Sequence, residues 1–166
     1  IIRQRRSAVA MDGVTSITKA QFYEMLSRVI PVVGSMLWDS IAQRPFIHLG
    51  LFVHRVVGLI PGLYALVRDP EKQSLLQTSM HAEFQWKTPL ECPQSLPLFL
   101  LEEKEVQNLA ASVSCGQDIA GAGAFSCGML AEFEEPIRRF GAHWYRRLFW
   151  ETGMIGQVLY LEAEAK

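Results

Sequence analysis

The chain reads as an α+β domain, a mixed sheet flanked by helices and closed by a long buried C-terminal helix. Three observations carry that reading. Apolar residues recur at helical spacing near both ends, two valine- and leucine-rich stretches meet across Pro61-Gly62 in between, and the last helical stretch is apolar on almost every side from Gly153 to Leu161. The 166 residues suit one domain spanning 1–166, which would bury roughly 70% of its unfolded surface.

From Thr18 the spacing of Phe22, Met25, Leu26 and Val29 predicts a first helix, with Thr18 as N-cap and a stop near Pro31. Leu49, Leu51 and Val53 alternate with smaller or polar neighbours, and Val56 to Gly62 supplies the turn into a second strand over Leu63 to Val67. Residues 68–96 are punctuated by Pro70, Pro89 and Pro93 and show no sustained period beyond a short helix over Lys72 to Ser79. Glu102 to Cys115 reads as a helix whose acidic residues sit at the favourable end of the dipole and which stops at Gly116. Ile119 to Leu130 reads as a helix end running into a strand, and from Pro136 helical spacing returns, with Trp144, Leu148, Ile155 and Leu159 on one face.

Hydrophobic residues make up 49% of the chain and charged ones 20%, a globular composition, and the net charge of -1 argues against nucleic-acid and membrane-surface roles. The longest apolar stretch, Phe46 to Val67, contains His48, His54, Arg55 and Pro61 and breaks at Gly58 and Gly62, so it reads as strands and a turn rather than a membrane span. Cys92, Cys115 and Cys127 are odd in number and lack CxxC spacing, which fits reduced, mostly buried thiols and a cytoplasmic location. The sequence starts Ile1-Ile2-Arg3, without an initiator methionine or a signal-peptide pattern, so it reads as a piece of a longer polypeptide.

The triplet Arg5-Arg6-Ser7 can grip a terminal phosphate, because guanidinium forks and a hydroxyl match its oxygens, but taken alone it reads first as a solvated surface charge cluster. Other candidates have plainer readings. His48 and His54 lie six apart on one strand face with no third ligand in the spacing, so they read as satisfied strand histidines and no metal is expected. Cys115 has neither a base nor an orienting group beside it, and the glycines from Gly116 to Gly128 do not form GxGxxG after a strand. Trp144, Tyr145, Trp150 and Tyr160 read as core or interface aromatics.

Taken in order, Arg5-Arg6-Ser7, the hairpin from Leu51 through Pro61-Gly62-Leu63-Tyr64, and the helix from Tyr145 through Gly153-Met154-Ile155-Gly156-Gln157 resemble the nitroreductase superfamily, in particular its azoline-dehydrogenase-like (thiazoline/oxazoline oxidase) flavoproteins. The resemblance covers most of the chain. It implies an α+β sandwich that binds FMN without a covalent link at a two-fold interface, in a homodimer or a tandem pseudo-dimer. It implies an oxidoreductase passing a hydride through the flavin to a small-molecule substrate, with NAD(P)H as a candidate donor. Arg5 and Ser7 would hold the ribityl phosphate and Arg6 would add contacts, while Ser40 and Arg44 match the serine and basic residue of the flavin loop. Gln157, a lone amide in an apolar stretch, has either the flavin or a neighbouring helix backbone as its partner. Three departures stand beside these matches. Asp39 occupies the loop's proline position, Val9 replaces a second basic residue, and the family's glycine-rich closing segment would lie beyond Lys166, so the domain is expected to be incomplete at its C-terminus. The alternative the departures imply is a non-catalytic half that keeps the fold and the dimerisation surface without the flavin.

Overall fold

The computed structural model describes residues 3, 6–32, 34–40 and 44–165. A two-residue strand, β1 (Ile17–Thr18), leads straight into helix α1 (Lys19–Ser27). The helix starts there because Thr18 and Gln21 form a reciprocal capping box: the Gln21 backbone N–H donates to Thr18 Oγ1 and the Thr18 backbone N–H donates to Gln21 Oε1. After a short turn of helix, α2 (Met36–Asp39), come β2 (Ile47–Val53), β3 (Val56–Val57) and β4 (Gly62–Leu66). The expected hairpin is present, with Leu51 opposite Tyr64. Its connection also contributes β3, which pairs in parallel with β1 and so clips the start of α1 to the sheet.

The 68–96 region holds a 3-10 turn (Pro70–Lys72) and α3 (Gln73–Ser79), where the short helix was expected. The chain then adds β5 (Leu98–Glu103), α4 (Gln107–Val113), α5 (Ile119–Ala122) and β6 (Phe125–Ala131). Here the structure corrects the sequence reading: Glu102 and Glu103 end a strand, and the helix begins at Gln107. Leu98 and Leu100 are buried against β4 in antiparallel register, and that pairing outweighs the local preference of two carboxylates for a helix N-terminus. The expected helix end followed by a strand is realised as α5 and β6. The helical C-terminus is divided by Gly141, whose φ of +93° suits only glycine, into α6 (Glu134–Phe140) and the 22-residue α7 (Trp144–Ala165).

The main sheet has strand order β5-β4-β2-β6 and is antiparallel throughout, while the separate β1-β3 pair is parallel. Its inner face supplies Leu49, Leu51, Val53, Tyr64, Leu66, Leu98 and Leu100, which pack with Phe22 and Leu26 of α1 and with Leu148, Ile155 and Leu159 of α7. Helix α7 therefore buries one face, whereas Phe149 and Trp150 on another are 60% and 57% exposed. The outer face carries an apolar groove of about 530 Å³ floored by Gly50, Ala65 and Gly128 and walled by Met80, His81 and Phe84.

One buried ion pair fixes α7 to the sheet. Arg68 Nη1 bonds Glu151 Oε1 and also donates to the Ile47 carbonyl at 2.9 Å, Arg68 Nε donates to the Val29 carbonyl at 2.7 Å, and Glu151 accepts from the Phe46 backbone N–H at 3.0 Å. Burial pushes the Arg68 guanidinium below its ordinary range and Glu151 draws it back up.

Candidate functional site

A cleft of about 470 Å³ opens where the segment after α2, the turn after β4 and the α6-α7 junction meet. Asp39, Ser40 and Arg44 line one side, Asp69 and Lys72 a second, and Glu135, Arg139, Phe140, Trp144 and Arg147 a third. The break at Gly141 builds that third wall, because it lets α6 and α7 fold against each other and stack Phe140 on Trp144 with centroids 4.3 Å apart. Phe46, at the entry to β2, meets the Trp144 ring edge-on at 5.7 Å. The Arg139 and Arg147 guanidinium groups each lie 5.0 Å from a ring of this cluster, over Phe140 and Trp144 respectively. Trp144 Nε1–H is buried without a hydrogen-bond partner among the described residues, a donor that a ligand could satisfy.

Of the residues singled out in the sequence, Ser40 and Arg44 lie together on this cleft. The Ser40 hydroxyl donates to the Leu37 carbonyl at 2.8 Å. Arg44 is engaged by two carboxylates, Asp69 at 2.9 Å and Glu71 at 2.5 Å, and both raise its pKa. Arg5 lies outside the described residues, while Arg6 and Ser7 sit in an exposed stretch without regular structure and do not line the cleft. Gln157 is on the exposed side of α7, ten residues beyond Arg147, roughly 15 Å along a helix axis. Phe46, Lys72, Arg139, Trp144 and Arg147 were not marked as site residues in the sequence. The available signal was the Arg139-Phe140 pair followed by Trp144 and Arg147, visible only once the helix is broken at Gly141.

Both histidines are held by the backbone. The Arg68 backbone N–H donates to His48 Nδ1 at 3.1 Å, and His54 Nε2 lies 3.0 Å from the Ala120 carbonyl. Burial is the main cause that pushes both imidazoles below their ordinary value. Cys92 and Cys127 are half-buried thiols pushed up by burial, whereas Cys115 is exposed at the end of α4. Among the described residues no cluster of three or more His, Cys, Asp or Glu could hold a metal ion, and no helix is long and apolar enough to cross a membrane.

No family model and no curated protein matches the chain. A crystal structure at 1.80 Å of a protein from Anabaena variabilis, provisionally described as a nitroreductase, does: the TM-score is 0.67 at 19% identity, over 98% of this chain and 29% of that one. The fold is nitroreductase-like. At that identity the likeness carries fold alone, and this chain spans less than a third of the neighbour's length.

Proposed function

We propose that this chain is the flavin-binding domain of an FMN-dependent oxidoreductase of the nitroreductase type, acting on a small-molecule substrate with NAD(P)H as donor, and related in particular to the azoline dehydrogenases. The observation that carries the proposal is the cleft, which combines stacked aromatic planes, several cations and an orphaned Trp144 N–H beside the loop residues Ser40 and Arg44. These groups fit FMN: the phosphate needs cationic donors, and the ring needs flat apolar walls and a few N–H donors. When bound, FMN supplies the two-electron redox step. The chain's own part is to bind and to exclude water. Phe46, Phe140 and Trp144 supply the apolar wall, Trp144 Nε1–H is a donor to an oxygen of the ligand, and Arg139 and Arg147 offset the phosphate charge from the α6-α7 wall. The N-terminal Arg5, Arg6 and Ser7 are proposed as a further phosphate grip, and Gln157 as a contact supplied across an assembly.

That assembly is proposed to be two-fold, a homodimer or a tandem pair, because Tyr145, Phe149 and Trp150 leave an aromatic strip of α7 in solvent. A cytoplasmic location is proposed from the three unpaired cysteines. A second reading, a structural half without flavin, is favoured by two observations: Arg44 is already neutralised by Asp69 and Glu71, and Asp39 adds a further carboxylate to the cleft. The visible absorption spectrum of the purified full-length protein decides between them. Co-purified FMN approaching one per domain supports the flavoprotein; a colourless protein that stays colourless after incubation with FMN supports the structural half.

A further inference from the structure

The cations that line the cleft differ in how much charge each has left for a ligand. Arg44 faces both Asp69 and Glu71, so its immediate surroundings are net negative. Lys72, on the adjacent wall, has one carboxylate, Glu132, at 2.8 Å, and its side chain is 26% exposed. An ammonium carries three N–H donors, so two remain after that bond. Glu132 is in turn tied to the cleft wall, since its backbone N–H donates to the carbonyl of Phe46 at 3.0 Å.

Behind Glu132 stands His48, 2% exposed. The Arg68 backbone N–H donates to its Nδ1 at 3.1 Å, which makes that nitrogen the acceptor and places the imidazole proton on Nε2. Nε2 lies 3.8 Å from Glu132 Oε1, and neither atom has a hydrogen-bond partner among the described residues. Glu132 thus stands between the two, with Oε1 toward His48 Nε2 and Oε2 on the Lys72 ammonium, which it holds at the cleft.

We infer that, of the two cations flanking Asp69, Lys72 rather than Arg44 binds the anionic group of the ligand, alongside Arg139 and Arg147 of the α6-α7 wall, and that Glu132, backed by His48, is the positioning residue of Lys72. The inference rests on the flavin reading above. The anionic group is a phosphate ester, which has two sources, the phosphate of FMN and a phosphate of a nicotinamide nucleotide donor.

Fluorescence titrations of the full-length protein and its Lys72→Met variant with FMN, riboflavin and NADP+ test it, the last on FMN-loaded protein. Lys72 is at the rim, so the variant should fold, and Lys72→Arg should restore most of the affinity. A loss of at least tenfold for FMN with riboflavin unchanged supports the inference and assigns Lys72 to the flavin phosphate. A loss of the same size confined to NADP+ supports it and assigns Lys72 to the donor. Unchanged affinity for FMN and NADP+ overturns the inference while leaving the flavin reading intact, as does an equal loss for FMN and riboflavin. A wild-type protein that binds neither flavin overturns both. For Glu132 the readout is coupling: Glu132→Gln should alter affinity for the phosphate ligand in the wild type and have no effect in the Lys72→Met background. An equal effect in both backgrounds overturns the positioning role.

Discussion

At the scale of single residues, the costliest arrangement is the buried Arg68–Glu151 pair, whose side chains are 0% and 5% exposed. Such a pair is weak evidence of net stability when intact, yet removal of one partner strands the other charge without solvent. Glu151→Ala is therefore expected to destabilise the domain by about 3–5 kcal/mol, read as a lowered urea midpoint; a change below about 1 kcal/mol would mean that water reaches Arg68. The histidines contribute to the acid response. Protonating His48 means placing a proton on Nδ1, against the Arg68 N–H, and protonating His54 means charging a buried Nδ1 with no partner among the described residues. Around His48, Glu132 and Asp69 pull the pKa up and Arg68 pushes it down, and burial outweighs them. Both folded values lie below the ordinary 6.5, so the unfolded chain binds more protons in that range. The stability they confer is present above about pH 6.5 and lost as pH falls through the folded values, so urea midpoints should drop from pH 7.5 to pH 5.5, and less so in a His48→Gln variant. The site was only partly legible at this scale. Ser40 and Arg44 were named through the resemblance of the segment before β2 to a flavin loop, but how far the Arg44 charge is already matched depends on Asp69 and Glu71, some 25 residues on, and no local pattern encodes such a meeting.

At the scale of elements, legibility followed how local the cause was. The start of α1 depends on residues three apart, Thr18 and Gln21, and the hairpin on alternation around a Pro-Gly turn, so both could be read directly. Strand β5 could not: Glu102 and Glu103 look like the first turn of a helix until Leu98 and Leu100 are seen to pair with β4 across the sheet. The same pairing fixes Gly62. A Cβ there would collide with the Glu102 backbone carbonyl and press on Leu100, both of β5. Gly62→Ala should consequently cost about 1–3 kcal/mol through overpacking, with hydrogen exchange accelerated most along β5; a variant as stable as the wild type would show that the two strands separate more easily than their register suggests. Thr18→Ala removes one side of the capping box and should cost about 0.5–2 kcal/mol, measured as a shift in Tm without loss of the sheet signal in circular dichroism.

At the scale of the whole molecule, the domain is lopsided. Helices α1 and α7 cover the inner face of the sheet, while α7 presents Tyr145, Phe149 and Trp150 to solvent next to Phe133, which meets Tyr145 edge-on. If that strip is the two-fold surface, Phe149→Lys with Trp150→Glu should shift the full-length protein from dimer mass toward monomer mass in light scattering, with little effect on Tm, since neither side chain is buried within the chain. An unchanged mass would place any assembly elsewhere. The proposed flavin cleft of this nitroreductase-like fold is tested by a flavin-fluorescence titration of apo full-length protein with FMN. Quenching is expected to saturate at about one FMN per domain with submicromolar affinity, and the affinity to be at least tenfold weaker when Trp144 and Arg147 are replaced by Leu and Met. Absence of saturable quenching in the wild type, or full affinity in the double variant, would contradict the proposal.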